Sequence, residues 1–152
     1  MTLVVNQLGK RYGQTPVFSQ VSLRVAPGEF VAIVGESGVG KSTLLNCMAG
    51  LDTWDSGSVV LDGQDLGRLS DEQLARLRRE KTGFVFQAFH VLPHLSVAQN
   101  VALPLMLLGQ HDDARVLAML EAVGLAGLGE RLPQTLSGGQ LQRVAIARAL
   151  VH

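Results

Sequence analysis

Short apolar runs separated by turn residues dominate the first part of the chain. Residues 2–5 and 21–25 carry the alternating or β-branched pattern of short strands. The run Phe30–Val34 is uniformly apolar, which predicts a strand covered on both faces in a parallel sheet. Val59–Leu61 predicts a further strand that ends in a turn at Asp62-Gly63. These runs together predict a sheet.

Helical patterns follow, and three of the predicted helices begin with the same cap. Ser70–Gln73, Ser96–Gln99 and Ser137–Gln140 each read S-x-x-Q, in which serine and glutamine bond each other's backbone N–H groups. The first box predicts a helix to about Glu80. The second predicts a short helix that Pro104 limits or kinks. The third predicts the helix Gln140–Val151.

Two more helices and one more strand complete the expected elements. Lys41–Ala49 should be helical and should end at Gly50, and residues 112–123 should form a helix closed by Gly124. Gly83–Phe86 is a second buried-type strand, ending at Gln87. We expect an α/β domain organised as a P-loop core part (1–86), a helical lobe inserted into it (88–136) and a last helix (137–151).

Composition narrows the class of protein. The chain of 152 residues is 47% hydrophobic and has 17 glycines, which suits one globular α/β domain. Its 13 basic and 13 acidic side chains cancel, so nothing in the overall charge indicates a nucleic-acid partner. The single Cys47 cannot form an internal disulfide. With no visible signal peptide and no apolar run of spanning length, we expect a soluble, cytoplasmic chain whose membrane contact is through a partner.

A glycine-rich loop between the predicted strand Phe30–Val34 and the helix after it carries the first chemical signal. It matches G-x-x-x-x-G-K-[ST] with Gly35, Glu36, Ser37, Gly38, Val39, Gly40, Lys41 and Ser42. Backbone N–H groups of such a loop surround polyphosphate oxygens, the lysine reaches the β- and γ-phosphates, and the serine hydroxyl binds Mg²⁺. The motif predicts triphosphate and Mg²⁺ binding without distinguishing ATP from GTP.

A second anion-binding segment lies about a hundred residues further on, at Leu136–Gln140. A helix that starts at Ser137 directs unpaired N–H groups and the positive end of its dipole outward. Gly138 and Gly139 would let an anion approach this backbone closely. The alternative is an ordinary helix cap with two flexible glycines.

The run Leu-Ser-Gly-Gly-Gln, in a chain with this P-loop, resembles the signature of ABC transporter nucleotide-binding cassettes. The resemblance implies ATP and Mg²⁺ as ligands, with Tyr12 stacking on adenine and Thr43 continuing the phosphate-binding segment. It implies that Gln87 is the Q-loop glutamine, which contacts Mg²⁺ and relays motion to the helical lobe. Lys41 and Gln87 would then be the catalytic residues of an ATPase, and Ser42 and Gln87 its metal ligands.

The resemblance also implies a head-to-tail dimer. In such a dimer Ser137, Gly138, Gly139 and Gln140 of one cassette would face the γ-phosphate held by the P-loop of the second ATP-binding subunit. Val151-His152 comes before the family's Walker B Asp-Glu pair and switch histidine, so the chain resembles the first two-thirds of a cassette. We therefore expect weakened nucleotide binding, almost no hydrolysis, an incomplete sheet and poor solubility for these 152 residues.

The segment Phe84–Leu105 is similar to the bacterial subgroup of cassettes that serves lipoprotein release and macrolide-type export. In that family the residues after the Q-loop receive a coupling helix of a transmembrane permease, and exposed side chains of Phe89, Val91 and Leu92 would suit such docking. The leading function is thus the ATP-binding subunit of a membrane transporter, peripheral at the inner face of the cell membrane. The alternatives are a truncated, inactive cassette and a soluble ABC ATPase without a transport role.

Overall fold

A computed structural model describes all residues, Met1–His152, and its sheet has four antiparallel strands. They are β1 (Leu3–Tyr12), β2 (Thr15–Val25), β3 (Ser56–Leu61) and β4 (Gln64–Asp65), in the order β2-β1-β3-β4. The β3–β4 turn has left-handed backbone at Asp62 and Gly63, as its Asp-Gly sequence predicts. The predicted strands 21–25 and Val59–Leu61 lie inside longer observed ones, and the predicted strand 2–5 begins one residue before β1.

The sequence-based prediction of two buried strands is wrong. Phe30–Val34 and Gly83–Phe86 form no strand, and neither is part of the sheet. Phe30 is 91% exposed and Val34 87% exposed, whereas a strand covered on both faces would be buried. The physical reason is that a strand persists through ladder bonds to a neighbour, and no segment of residues 1–152 supplies such bonds to either run.

Five α-helices follow the predicted caps closely. They are α1 (Lys41–Met48), α2 (Asp71–Lys81), α3 (Val97–Leu107), α4 (Asp113–Ala122) and α5 (Gly138–Leu150). All three capping boxes form, because each serine accepts a bond from the glutamine N–H and each glutamine accepts one from the serine N–H. Pro104 does not end α3, which continues to Leu107.

The chain divides into two compact units, Met1–Arg76 and Leu77–His152. The first holds the sheet and α1, with apolar side chains of both buried, among them Leu8, Leu44 and Val59. The second is built on one apolar core, formed by α3, α4, α5 and residues that follow α4 and α5. Its buried members are Val97, Val101, Leu105, Val116, Leu120, Leu125, Val144, Ala147 and Val151. The predicted division at residues 86, 88 and 136 stays a prediction.

Candidate functional site

The glycine-rich loop Gly35–Gly40 is irregular and its residues are largely exposed. Its last residue must be glycine for two separate reasons. Gly40 has a φ of 96°, which side-chain-bearing residues rarely adopt. A Cβ there would also lie 2.7 Å from the Val17 Cγ1 atom of β2. The loop is therefore held against the sheet at the point where α1 begins.

The first turn of α1 presents unpaired donors. Gly40 provides no side-chain cap, and the first backbone bond of the helix runs from the Leu44 N–H to the Gly40 carbonyl at 2.9 Å. The N–H groups of Lys41, Ser42 and Thr43 precede that bond and have no intrahelical acceptor. Together with the helix dipole they form an anion-binding end.

Lys41 folds back over the loop that precedes it. Its ammonium group donates to the Gly35 carbonyl at 2.9 Å and to the Glu36 carbonyl. The positive charge is thus held beside the free N–H groups of α1. The neighbouring Ser42 is exposed and carries a hydroxyl, a hard oxygen donor of the kind that Mg²⁺ prefers. Ser42 therefore fits a Mg²⁺ ion that keeps several of its own water ligands.

Tyr12 ends β1 in the same unit as the loop, and the residue is 57% exposed. Its hydroxyl donates to Asp52 Oδ2 at 2.9 Å, and the Lys10 ammonium lies 4.9 Å from its ring centroid. Lys10 pairs with Asp52 Oδ1 at 2.9 Å. This hydrogen bond raises the pKa of Lys10 despite burial, and the bonds from Lys10 and Tyr12 lower the pKa of Asp52.

The segment Ser137–Gln140 forms the exposed tip of α5, in the second unit. Ser137 Oγ accepts from the Gln140 N–H at 3.3 Å, and Gln140 Oε1 accepts from the Ser137 N–H at 2.9 Å. Both of those backbone donors are therefore used inside the cap. The donors left for an anion are the N–H groups of Gly138 and Gly139 and the Ser137 hydroxyl hydrogen. Gln140 acts here as the partner that orients Ser137.

Gln87 is exposed, within the turn that leads away from residues 83–86. The two residues after Ala88, Phe89 and His90, have left-handed backbone with φ of 59° and 46°. The guanidinium of Arg148 on α5 donates to both of their carbonyls, at 2.8 and 2.7 Å. Burial lowers the pKa of Arg148. Arg148 thus holds a strained segment two residues beyond Gln87.

The expected docking residues differ in exposure. Leu92 is exposed, whereas Phe89 and Val91 are half-buried and Val91 packs against the helical core. Asn100, which the sequence prediction missed, is fully buried and fastens this segment to α3. Its Oδ1 accepts from the Leu92 N–H at 2.8 Å, and the two hydrogens of its Nδ2 are shared among the carbonyls of Leu92, Leu95 and Ser96, each at 3.0 Å. A lone asparagine in the apolar run of α3 was the available signal.

The first unit thus holds Tyr12, the glycine-rich loop and α1, and the second holds Gln87 and the Ser137 helix tip. No cluster of three or more potential metal-ligating His, Cys, Asp or Glu side chains is found in residues 1–152. None of the helices combines the length and the apolar character needed to cross a membrane. The glycine-rich loop and the uncapped helix after it together define a phosphate-binding site of the P-loop class, although the run Phe30–Val34 before the loop forms no strand.

Comparison with known proteins then identifies the family. The family described as "ABC transporter" matches residues 18–152. The solved "Dimeric Structure of MJ0796, a Bacterial ABC Transporter Cassette" is 39% identical, with a TM-score of 0.90 over 98% of this chain and 69% of that one. A second MJ0796 structure, a dimeric post-hydrolysis state bound to ADP and Pi, is 38% identical over the same shares, with a TM-score of 0.89. The chain belongs to the ABC transporter family as an ATP-binding cassette, and the predicted fold class is confirmed.

Proposed function

We propose that this chain is the nucleotide-binding part of a transporter subunit, which binds Mg·ATP and couples nucleotide state to a transmembrane permease. The observation that carries the proposal is the uncapped start of α1. Three adjacent N–H groups and the Lys41 ammonium converge on the glycine-rich loop in a chain of the ABC transporter family. The triphosphate would take these donors, and Ser42 would ligate Mg²⁺. The bound metal would neutralise phosphate charge.

The Ser137 helix tip would complete the site from a second copy. Its three open donors, the hydroxyl of Ser137 and two glycine N–H groups, suit the γ-phosphate of a nucleotide held by the partner's P-loop. A cassette similar to this chain is described as dimeric, which supports a head-to-tail pair. ATP would favour the closed pair through contacts to both copies, and the loss of γ-phosphate would remove the contacts to the partner's helix tip. Gln87 would contact the Mg²⁺ ion, as the resemblance to the family implies.

The permease contact is proposed for the segment after Gln87. Leu92 is exposed there, and Arg148 and Asn100 fix the backbone on either side of it. A short apolar helix of the membrane subunit could pack against such a fixed, partly apolar edge. This would place the chain at the inner face of the membrane through its partner.

Nucleotide binding is the decisive test. Isothermal titration of the 152-residue chain with Mg·ATP should show binding that Lys41→Ala weakens by roughly 10-fold or more, since a charge-assisted bond to phosphate is lost. Lys81→Ala, an exposed lysine at the end of α2, is the matched control and should bind like the parent. Equal affinity in the parent and in Lys41→Ala would refute the proposal.

Hydrolysis is tested separately. The resemblance predicts little or no phosphate release by these 152 residues, even where Mg·ATP binds. Phosphate release that disappears in Lys41→Ala would refute that expectation and would make the chain an active ATPase.

A further inference from the structure

Lys10 occupies an unusual place for a lysine. It lies near the end of β1, yet it is only 5% exposed. Its ammonium donates to Asp52 Oδ1 at 2.9 Å and to the Thr53 carbonyl at 2.7 Å. Since a buried ammonium group is costly unless paired, Asp52 is what keeps this charge in place.

The same carboxylate also holds Tyr12. One carboxylate oxygen of Asp52 accepts a hydrogen bond from the Lys10 ammonium. The other accepts one from the Tyr12 hydroxyl at 2.9 Å. The ammonium in turn lies 4.9 Å from the centroid of the Tyr12 ring, within the range of a cation–π contact. The ring is thus fixed at its hydroxyl and contacted on one face.

The other face of the ring is the part that remains available. Tyr12 is 57% exposed although two of its contacts are satisfied, so its exposure is not that of an unattached side chain. Stacking on a ring that is already fixed avoids the entropy loss of ordering it. The exposed face of the Tyr12 ring can therefore stack on a flat aromatic group.

We propose that Asp52, with Lys10 paired to it, is a positioning residue that fixes the Tyr12 ring to stack on the purine base of the bound nucleotide. This inference rests on the proposed function. It predicts that Asp52 contributes to recognition of the base and not of the phosphates. A simple structural role, joining β1 to residues 52–55, would affect base and phosphate binding alike.

The two roles are separated by comparing Mg·ATP with inorganic tripolyphosphate, each titrated calorimetrically against the same chain. Tyr12→Phe keeps the ring and the Lys10–Asp52 pair and removes only the hydroxyl bond. It should raise the Kd of Mg·ATP by about 3- to 10-fold and leave the Kd of tripolyphosphate unchanged. Tyr12→Ala should raise it further, by roughly 5- to 150-fold, because stacking itself is lost.

Asp52→Asn is the second variant, and Asp55→Asn is its matched control. Asp55 lies three residues away and accepts from the Arg11 N–H at 2.7 Å, whereas the Tyr12 hydroxyl bonds Asp52. Asp52→Asn should change the ratio of the two Kd values in the same direction as Tyr12→Phe, whereas Asp55→Asn should leave the ratio at the parent's value.

The failures are distinguishable. If the parent binds both ligands with a dependence on Lys41 but Tyr12→Phe shows the parent's ratio, the positioning role is overturned and the proposed function stands. If Lys41→Ala binds both ligands as the parent does, both proposals are overturned. Should Asp52→Asn fail to fold, the result for Tyr12→Phe decides alone.

Discussion

At the scale of single residues, Gly139 and Gly83 of the second unit differ in the space around them: Gly139 has room for a side chain, and Gly83 has none. A Cβ added at Gly139 would meet nothing within 4 Å, and alanine is the better helix former by about 1 kcal/mol. A Cβ added at Gly83 would collide with the Ala149 carbonyl of α5. The surroundings of Gly139 therefore do not require a glycine, whereas those of Gly83 do.

The pair gives a matched prediction. Gly139→Ala should keep or raise the thermal midpoint while weakening any Mg·ATP-dependent dimer, measured by light scattering after gel filtration. Gly83→Ala should lower the free energy of unfolding by about 1–3 kcal/mol or more, since backbone must move. A lower midpoint for Gly139→Ala would contradict the open surroundings of that residue.

The Lys10–Asp52 pair predicts a pH dependence whose sign follows from the two pKa shifts. The pKa of Asp52 is lowered from 3.8, so its contribution to stability is complete above that value and is lost as the pH falls through the folded-state pKa. The pKa of Lys10 is raised from 10.5, so its contribution is complete below that value and is lost as the pH rises through the folded-state pKa.

Urea unfolding at pH 3 to 7 measures the acid side of this dependence. The parent should lose stability relative to Asp52→Asn as the pH falls below about 4, because only the parent has a carboxylate to protonate at this position. Asp55→Asn is the control, because it makes the same substitution outside the Lys10–Asp52 pair. A constant difference between the parent and Asp52→Asn over the whole range would contradict the prediction.

At the scale of elements, the side-chain amide of Asn100 fastens residues 92–96 to α3, because it accepts from the Leu92 N–H and shares its two hydrogens among three carbonyls. Asn100→Ala would leave the Leu92 N–H and several carbonyls without this partner. We expect a loss of about 1–3 kcal/mol in the free energy of unfolding, and more if the cavity cannot relax. Chemical denaturation measures it.

Ser70→Ala is the reference variant against which the stability loss of Asn100→Ala is compared. It removes one exposed cap bond, to the Gln73 N–H, and should cost about 1 kcal/mol. A smaller loss for Asn100→Ala than for Ser70→Ala would show that the segment at 92–96 is held mainly by other contacts.

How much could be predicted from the sequence depended on how far apart along the chain the interacting residues lie. The capping boxes and the glycine-rich loop were predictable because donor and acceptor lie within a few residues. The contacts of Lys10 with Asp52 and of Arg148 with His90 were missed, because they join residues 42 and 58 positions apart. Phe30–Val34 was predicted as a buried strand since its composition says nothing about whether a neighbouring strand is present.

At the scale of the whole molecule, the exposed apolar run Phe30–Val34 is the main feature unfavourable to solubility. Phe30 and Val34 are almost fully exposed, and Val31 and Val85 are exposed as well. Apolar side chains on backbone without ladder partners favour pairing between molecules. The 152 residues should therefore self-associate, which concentration-dependent light scattering would show.

Phe30→Lys tests this cause, because a charge on the run opposes pairing. It should reduce the scattering, whereas Leu117→Lys, at another exposed apolar position on α4, should reduce it much less. A parent protein that stays monomeric with a sharp thermal transition would contradict the prediction.

The three identical caps allow a comparison within one molecule. At α2 the two residues after the cap are acidic, Asp71 and Glu72, and their carboxylates offset the positive end of that helix. At α3 the first residue is the buried Val97. Only α5 continues with two side-chain-free, uncharged residues. An acidic residue in place of Gly138 or Gly139 would therefore offset the positive end of α5 and repel an anion there, in open space where its side chain meets no neighbour.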